Sequence, residues 1–512
     1  MADENETSLI SRNVKYQKVE GAESRRLAEG RLSFWLVVST LTVCIGSSME
    51  FGYNIGVITG PSPFIQSFIN ETLFERTGVE PSENSLTWLW AATVSIYCVG
   101  GGLGALSGGY WAEKFGRNRG LLYNNFISIV AALLMGCCYS AKSPEMLIAG
   151  RFVIGFSVGI SITIVPVYLT EISPFNLRGA ITVTHQLLVT IGILIGQCLG
   201  FFAFYNPSTW SVVLGLTGVT TIIEFVMLPF CPESPRWLLI RKNDEEKALK
   251  ALRQLRGRDN VGDEIEEMRR EHQNESNVER IGVFDLLCLR DRSWLLPLII
   301  CIVIHTGQQL CGINAIIFYS TELYEAAGMS HNEVAYATVG FGALNVCVTV
   351  ISVLVVERAG RRPLLLYPFG IIALWLIGLT ISLALQAQHD WLKWVSLVFV
   401  YLYIIFFAIG PAPLPYLVSA ELWSQGPRPS AVSVSIQVNW WTNFIVQLTF
   451  PPIQGVIGEY IFLIYTVCAI ATTIFIYFYV PETKNRSFDE IASSFRKNRD
   501  GNGNMGMENR QQ

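Results

Sequence analysis

Glu113-Lys114-Phe115-Gly116-Arg117 follows one apolar stretch, and Glu357-Arg358-Ala359-Gly360-Arg361-Arg362 follows another, 244 residues later. Two more charged motifs recur at nearly the same offset. Glu171 and Arg178, seven apart, return as Glu421 and Arg428 after 250 residues. Pro232-Glu233-Ser234-Pro235-Arg236 returns as Pro481-Glu482-Thr483-Lys484 after 249. Three charged motifs in one order at one offset mark an internal duplication. Each motif closes an apolar stretch of roughly 20 residues, the length of a bilayer-spanning helix. The chain therefore reads as an all-α integral membrane protein of two related six-helix bundles, an architecture used by secondary transporters.

Working outward, twelve apolar stretches lie near 34–60, 86–110, 120–140, 147–169, 180–204, 210–230, 294–324, 333–356, 363–386, 394–418, 431–455 and 460–480. They divide the chain into a polar tail (1–33), a first bundle (34–231), a charged linker (232–293), a second bundle (294–480) and a second tail (481–512). Composition agrees. Of 512 residues, 51% are hydrophobic and 15% charged, against about 25% charged in soluble domains. An ordinary soluble enzyme would need more charge to cover its surface. A net charge of −4 gives no basic field for nucleic acid. The 11 cysteines lie in or beside apolar stretches and read as buried thiols, with no CxxC and no zinc spacing. The five histidines are scattered, so neither a metal nor a cofactor is expected. In the linker, Ala248, Leu252, Leu255, Ile265 and Met268 follow helical spacing, which predicts short amphipathic helices; a solvated linker is the plainer alternative.

Loop charge sets the orientation. With the N-terminus inside, the outward side carries only Arg76, Lys142, Lys393 and the helix-end Arg151 among 37 basic residues. This is the positive-inside pattern, and an even number of spans then places both termini in the cytoplasm. Asn70-Glu71-Thr72 falls in the first outward loop and is the expected glycosylation site. The sequons at Asn5, Asn274 and Asn485 face the cytoplasm and are expected to stay bare.

A membrane enzyme would gather histidines, cysteines or carboxylates, and a channel would show a filter or a charged ring; neither pattern is visible. An alternating-access transporter needs two halves and a polar site near the midplane. Amides supply such a site: Gln186 in the fifth span, Gln308, Gln309 and Asn314 in the seventh, Asn345 in the eighth, and Asn439 and Asn443 in the eleventh beside Trp440 and Trp441. Amides both donate and accept, as sugar hydroxyls do, and aromatic faces suit the apolar side of a pyranose. The alternative is that such amides only join helices. Gly307 and Gly312 can break the helix within the Gln308-Gln309-Asn314 set. In the tenth span, Gly410-Pro411-Ala412-Pro413-Leu414-Pro415 removes backbone donors and breaks the helix, as a hinge or as a fixed kink. The charges Glu113, Arg117, Glu171, Arg178, Glu357, Arg361, Arg362, Glu421 and Arg428 sit where helices leave the inner face. Their spacing predicts inter-helix salt bridges that latch the cytoplasmic side when the site faces outward. Basic residues serving orientation alone are the alternative.

These residues resemble the sugar-porter branch of the major facilitator superfamily, and specifically its animal facilitative hexose transporters. The resemblance runs from about Phe51 to Phe495. It rests on Phe51-Gly52-Tyr53-Asn54, Gly150-Arg151-Phe152, the Pro232 and Pro481 motifs, Gln308-Gln309-Leu310-x-Gly312-x-Asn314, the Glu357–Arg362 motif, and Gly410-Pro411-x-Pro413-x-Pro415. It implies alternating access, no catalysis, and passive movement of glucose or fructose across the plasma membrane. It also implies sugar contacts at Gln186, Gln308, Gln309, Asn314 and Asn345, with Asn439 and Trp440 nearby. A proton-coupled symporter and a transporter-like sugar sensor share the fold and remain the alternatives.

The departures are specific. His305-Thr306-Gly307 replaces the Gln-Leu-Ser of glucose-type members, Ala408 their Glu, Tyr416 their Trp, and Asn118 a usual Arg. Ala408 and the stretches 121–137 and 214–219 look fructose-type, whereas Asn439-Trp440 and His185-Gln186 look glucose-type. Proton-coupled relatives carry Asp at the position of Asn54, which cannot titrate. Glu50, however, lies one helical turn earlier, where relatives usually have Gln, and Glu224 is a second intramembrane carboxyl. Glu50 has three readings: a protonated neutral donor, a substrate acceptor, or a proton-coupling group.

Overall fold

Each apolar stretch forms a helix in the computed structural model, which describes residues 31–202, 208–276, 281–386, 388–424, 426–484 and 486. The first bundle has Phe34–Gly56, Glu83–Phe115, Arg117–Cys137, Pro144–Ile172, Arg178–Phe202 and Trp210–Phe230 as spans one to six. In the second bundle the seventh span is Leu295–Leu310 continued by Ile313–Phe318 and Ser320–Ala326, and the eighth and ninth are His331–Arg358 and Arg361–Leu385. The tenth is Leu392–Ile409 continued by Leu414–Glu421. The eleventh and twelfth, Arg428–Ile457 and Ile461–Tyr479, form one apolar run of 52 residues that turns at Gly458, φ +59°. Twelve spans in two bundles result.

Glycine brings helices together inside the first bundle. A Cβ on Gly155 would lie 2.1 Å from the carbonyl oxygen of Tyr97, and one on Gly100 would lie 2.1 Å from that of Phe152. The second and fourth spans therefore pack backbone against backbone, which small residues permit and larger ones forbid. Gly52 and Gly192 do the same for the first and fifth spans. The first span is not a plain α-helix: Cys44–Ser48 forms a π turn, which inserts an extra residue and re-aims side chains locally.

Two features depart from the sequence reading. Residues 61–85, expected as a loop, contain a helix over Ser62–Thr77, ended by Gly78 in the left-handed conformation. The cysteines are not uniformly buried: Cys137, Cys288 and Cys347 are exposed, because helix faces turned outward also carry apolar residues. The linker forms helices over Pro235–Ile240, Glu245–Arg256, Gly262–Ser276 and Val283–Leu287. Asp244 caps the second of these through the backbone N–H of Lys247, and Gly257 ends it. Of the residues at helical spacing, Ala248, Leu252 and Ile265 bury against Trp237, Leu238 and Leu239 with Met268 partly buried beside them, whereas Leu255 buries with Leu36 and Ile172 of the first bundle.

Candidate substrate site and its charged frame

Gly312, with φ +91°, breaks the seventh span, and a Cβ there would strike the Tyr465 ring. The break sets Gln308 and Gln309 on one side and Asn314 on the other. Gly307 does not break the helix. It is a packing residue whose missing Cβ leaves room for Thr472 of the twelfth span. The tenth span breaks at residues 410–413, as its prolines require, and this frees the Ala412 carbonyl. Gln308 Nε2 donates to that carbonyl at 3.0 Å, while its Oε1 accepts from Asn439 Nδ2 at 2.8 Å. One amide thus ties both broken helices to the eleventh span. Asn314 donates to Gln309 Oε1. Asn443 Oδ1 accepts from Gln447 Nε2 at 2.6 Å.

Asn345 is buried on the eighth span and Gln186 is exposed on the fifth, two helices that pack on each other. Trp440 is buried; its ring stands 6.2 Å from that of Phe51 and 6.0 Å from that of Tyr97 and covers Gly101. It therefore belongs to a three-ring contact between the halves. Trp441 is exposed. Beside the tenth-span break, Ala408 is buried and Tyr416 meets His305 edge-on at 5.0 Å. The three departures from glucose-type sequence thus cluster around the two breaks.

The halves also meet at the end away from the linker, where Thr321 Oγ1 donates to the Thr59 carbonyl at 2.7 Å. Nearer the middle, Gln437 Nε2 donates to the Gly102 carbonyl at 3.1 Å. Neither contact was anticipated. Thr59, Thr321 and Gln437 carry no charge and do not repeat, so nothing in the sequence marks them.

At the linker face the duplicated motifs build the same network twice. Arg117 pairs with Glu171 at 2.8 Å, and Arg361 with Glu421 at 3.2 Å. Ser234 Oγ donates to Glu171, and Thr483 Oγ1 to Glu421, both at 2.5 Å. Glu233 accepts the backbone N–H groups of Arg117 and Asn118, each at 3.0 Å; Glu482 accepts those of Arg361 at 2.8 Å and Arg362 at 3.2 Å. A carboxylate thereby caps the N-terminus of the third and of the ninth span, where the helix dipole favours negative charge. Burial pushes the Glu233 carboxyl upward in pKa, and the backbone donors from Asn118, Ser234, Arg119 and Arg117 oppose that. Asn118 donates to the carbonyls of Leu228 and Cys231 at the end of the sixth span, as Arg362 donates to Tyr477 at the end of the twelfth. Asn118 therefore performs the arginine's capping role.

The remaining charges are arranged differently. Glu113 pairs with Arg241 of the linker at 2.6 Å, and Arg428 donates to the Trp423 carbonyl. Arg178 is exposed, and the side chain of Glu357 lies outside the described residues. The Arg117–Glu171 pair lies within the first half and the Arg361–Glu421 pair within the second. Glu233, Ser234, Glu482 and Thr483 were legible only as repeat markers; their capping function needed the third dimension.

Two duplicated bundles, two broken helices and a shared amide centre define a secondary transporter rather than an enzyme. Comparison with known proteins names the family. Residues 39–495 match the model of the family "Sugar (and other) transporter", and the chain belongs to it. It is 44% identical over 476 residues to solute carrier family 2, facilitated glucose transporter member 5 of Homo sapiens, covering 93% of this chain and 95% of that one. It is likewise 44% identical over 469 residues to the Rattus norvegicus protein of the same name, covering 91% and 93%. Among solved structures, the inward-open xylose transporter XylE from E. coli superposes with a TM-score of 0.75 at 22% identity, over 90% of this chain and 99% of that one. Its partially occluded inward-open form gives 0.74 at 22% identity, over 89% and 100%. At that identity they establish the fold alone.

Proposed function

We propose that this protein is a facilitative hexose transporter that moves glucose, fructose or both down their gradient across the plasma membrane by alternating access. The observation that carries the reading is the Gln308–Asn439–Ala412 junction. A polar group exchanging donors and acceptors there connects two breakable helices, and a sugar hydroxyl can substitute for either partner. Gln186, Gln309, Asn314 and Asn345 supply further donors and acceptors, and Trp440 an apolar wall. The facilitated glucose transporters among its relatives support hexose as the substrate class.

The Thr59–Thr321 contact, far from the linker, and the exposed Gln186 support an inward-facing state. In that state each Arg–Glu pair stays within its own half. The latch reading then gains a mechanism: the duplicated networks hold the helix ends that meet when the site turns outward. The linker and both termini lie in the cytoplasm on this reading, and Asn70, in the helix over Ser62–Thr77, lies outside. Proteoliposomes holding only this protein test the function. Preloaded unlabelled hexose drives transient accumulation of labelled hexose if the reading is correct. Accumulation that requires a proton gradient supports symport instead, a reading kept by the intramembrane carboxyls Glu50 and Glu224.

A further inference from the structure

Gln197 of the fifth span is fully buried (0% exposed), and both ends of its amide, Nε2 and Oε1, lack a hydrogen-bond partner among the described residues. The side chain faces the other half: a Cβ on Gly342 of the eighth span would overlap Gln197 Oε1 and crowd Leu194. Thr338 shares that face of the eighth span, one turn nearer the end away from the linker. It is equally buried, and its hydroxyl is also unpartnered among the described residues. About three turns separate Gln197 from Gln186 on the fifth span, and Asn345 lies just beyond Gly342 on the eighth. The amide therefore stands between the candidate sugar site and the end away from the linker. Its backbone is fixed against the first span, where a Cβ on Gly56 would strike the Ile193 carbonyl and Gly60 packs on Gly200. Next to Gly60 is Thr59, whose carbonyl joins the halves through Thr321.

An amide carries two donors and a carbonyl acceptor. Buried without partners it is costly, and reached by water it is not. Gln197 is thus satisfied only when the fifth and eighth spans part and water enters between them. A side chain shifts an equilibrium only through a difference between the two states, and here the difference is plain: the closed seam carries the unpaired amide and the open seam does not. An amide that merely joins helices bonds across them, as Gln308 does to Ala412 and Asn439. Gln197 makes no such bond, so the role of helix glue does not account for it.

We propose that Gln197 sets the balance between the two faces of the transporter: its unpaired amide, lodged against Gly342, disfavours the inward-facing state, in which the seam between the fifth and eighth spans is closed, relative to the outward-facing state, in which water reaches it. It acts on the conformational equilibrium and not by holding sugar. Gly342 is part of the device, since a side chain there displaces the amide from the closed seam. The assignment rests on the alternating-access reading and the inward-facing state, and not on which sugar is carried.

Hydrogen–deuterium exchange of the purified full-length protein in lipid nanodiscs, read by mass spectrometry, tests this without any sugar. Gln197→Leu keeps the bulk and removes the unpaired amide. It shifts the ratio of inward-facing to outward-facing protein upward by about tenfold, the factor that corresponds to one unmade buried hydrogen bond. Exchange slows at the ends of the first, fifth, seventh and eighth spans away from the linker and quickens at their linker-side ends. Gly342→Ala, which crowds the amide, moves both sets of peptides the opposite way, and loses that effect in the Gln197→Ala background because residues in contact couple. Unchanged exchange in Gln197→Leu, a change confined to the peptide carrying the substitution, or movement of both single variants in the same direction overturns the proposal. If Gly342→Ala does not fold, the Gln197→Leu result decides alone. Counterflow that fails with every hexose while exchange moves as stated removes the hexose reading and leaves this one; the converse result removes this one alone.

Discussion

Gln308 already holds one donor and one acceptor partner before any sugar arrives, and this shapes what its removal does. Truncation strands the Ala412 carbonyl and the Asn439 amide, each losing a buried partner at about 1–3 kcal/mol. Gln308→Ala therefore weakens hexose binding by about tenfold or more in a protein that still folds. Equilibrium binding of labelled hexose to the purified variant measures it. A double-mutant cycle with Asn439→Ala separates the sugar contact from the protein contact, since residues sharing a hydrogen bond couple non-additively. Unchanged binding would mean that the amides only join helices. At the same scale, His305, Ala408 and Tyr416 reshape the wall beside the breaks. Fructose uptake, alone or with glucose, is the expected outcome, and glucose uptake with neither fructose uptake nor fructose competition would refute it. The amides were legible because they are rare in apolar helices. Their partners were not, because a backbone carbonyl freed by a proline break has no signature of its own.

Among the elements, the second and fourth spans are held by glycine. Gly155→Leu drives a side chain into the Tyr97 backbone, and overpacking of this kind costs about 1–3 kcal/mol. The expected outcome is a lower melting temperature in detergent and poor expression, whereas Gly455→Ala, in open space on the eleventh span, changes neither. The helix-capping carboxylates make a second prediction. Glu482→Ala removes the cap of the ninth span, worth about 0.5–2 kcal/mol for a helix N-cap, and Glu233→Ala does the same for the third. Thermal unfolding of both variants should show comparable losses if the networks are equivalent. The spans themselves were readable from apolar length and from the duplicated charges. The Ser62–Thr77 helix was missed because its apolar face is short and interrupted by Gln66, Asn70 and Glu71. The π turn was missed because nothing in the local spacing marks it; Gly46 within it packs against Glu224 of a distant span.

The whole molecule is a duplicated unit, and its duplicated charges are its most informative sequence feature. They marked the division into halves and the side carrying the linker, but not which glutamate meets which arginine. Glu171 stands seven residues from Arg178 and pairs with Arg117, a choice set by how the third span enters beside the fourth. Orientation has its own check: glycosidase treatment should shift the mass of the wild type and leave Asn70→Gln unshifted, and a shift that survives the substitution would contradict the topology. Passive hexose transport by two rocking bundles is the proposal on which the rest depends. Counterflow in proteoliposomes containing only this protein tests it most directly. The expected result is a transient overshoot of labelled hexose driven by unlabelled hexose inside, with no imposed proton gradient and no effect of a protonophore. No overshoot with any hexose, or sugar accumulation that a protonophore collapses and Glu50→Gln abolishes, would contradict it.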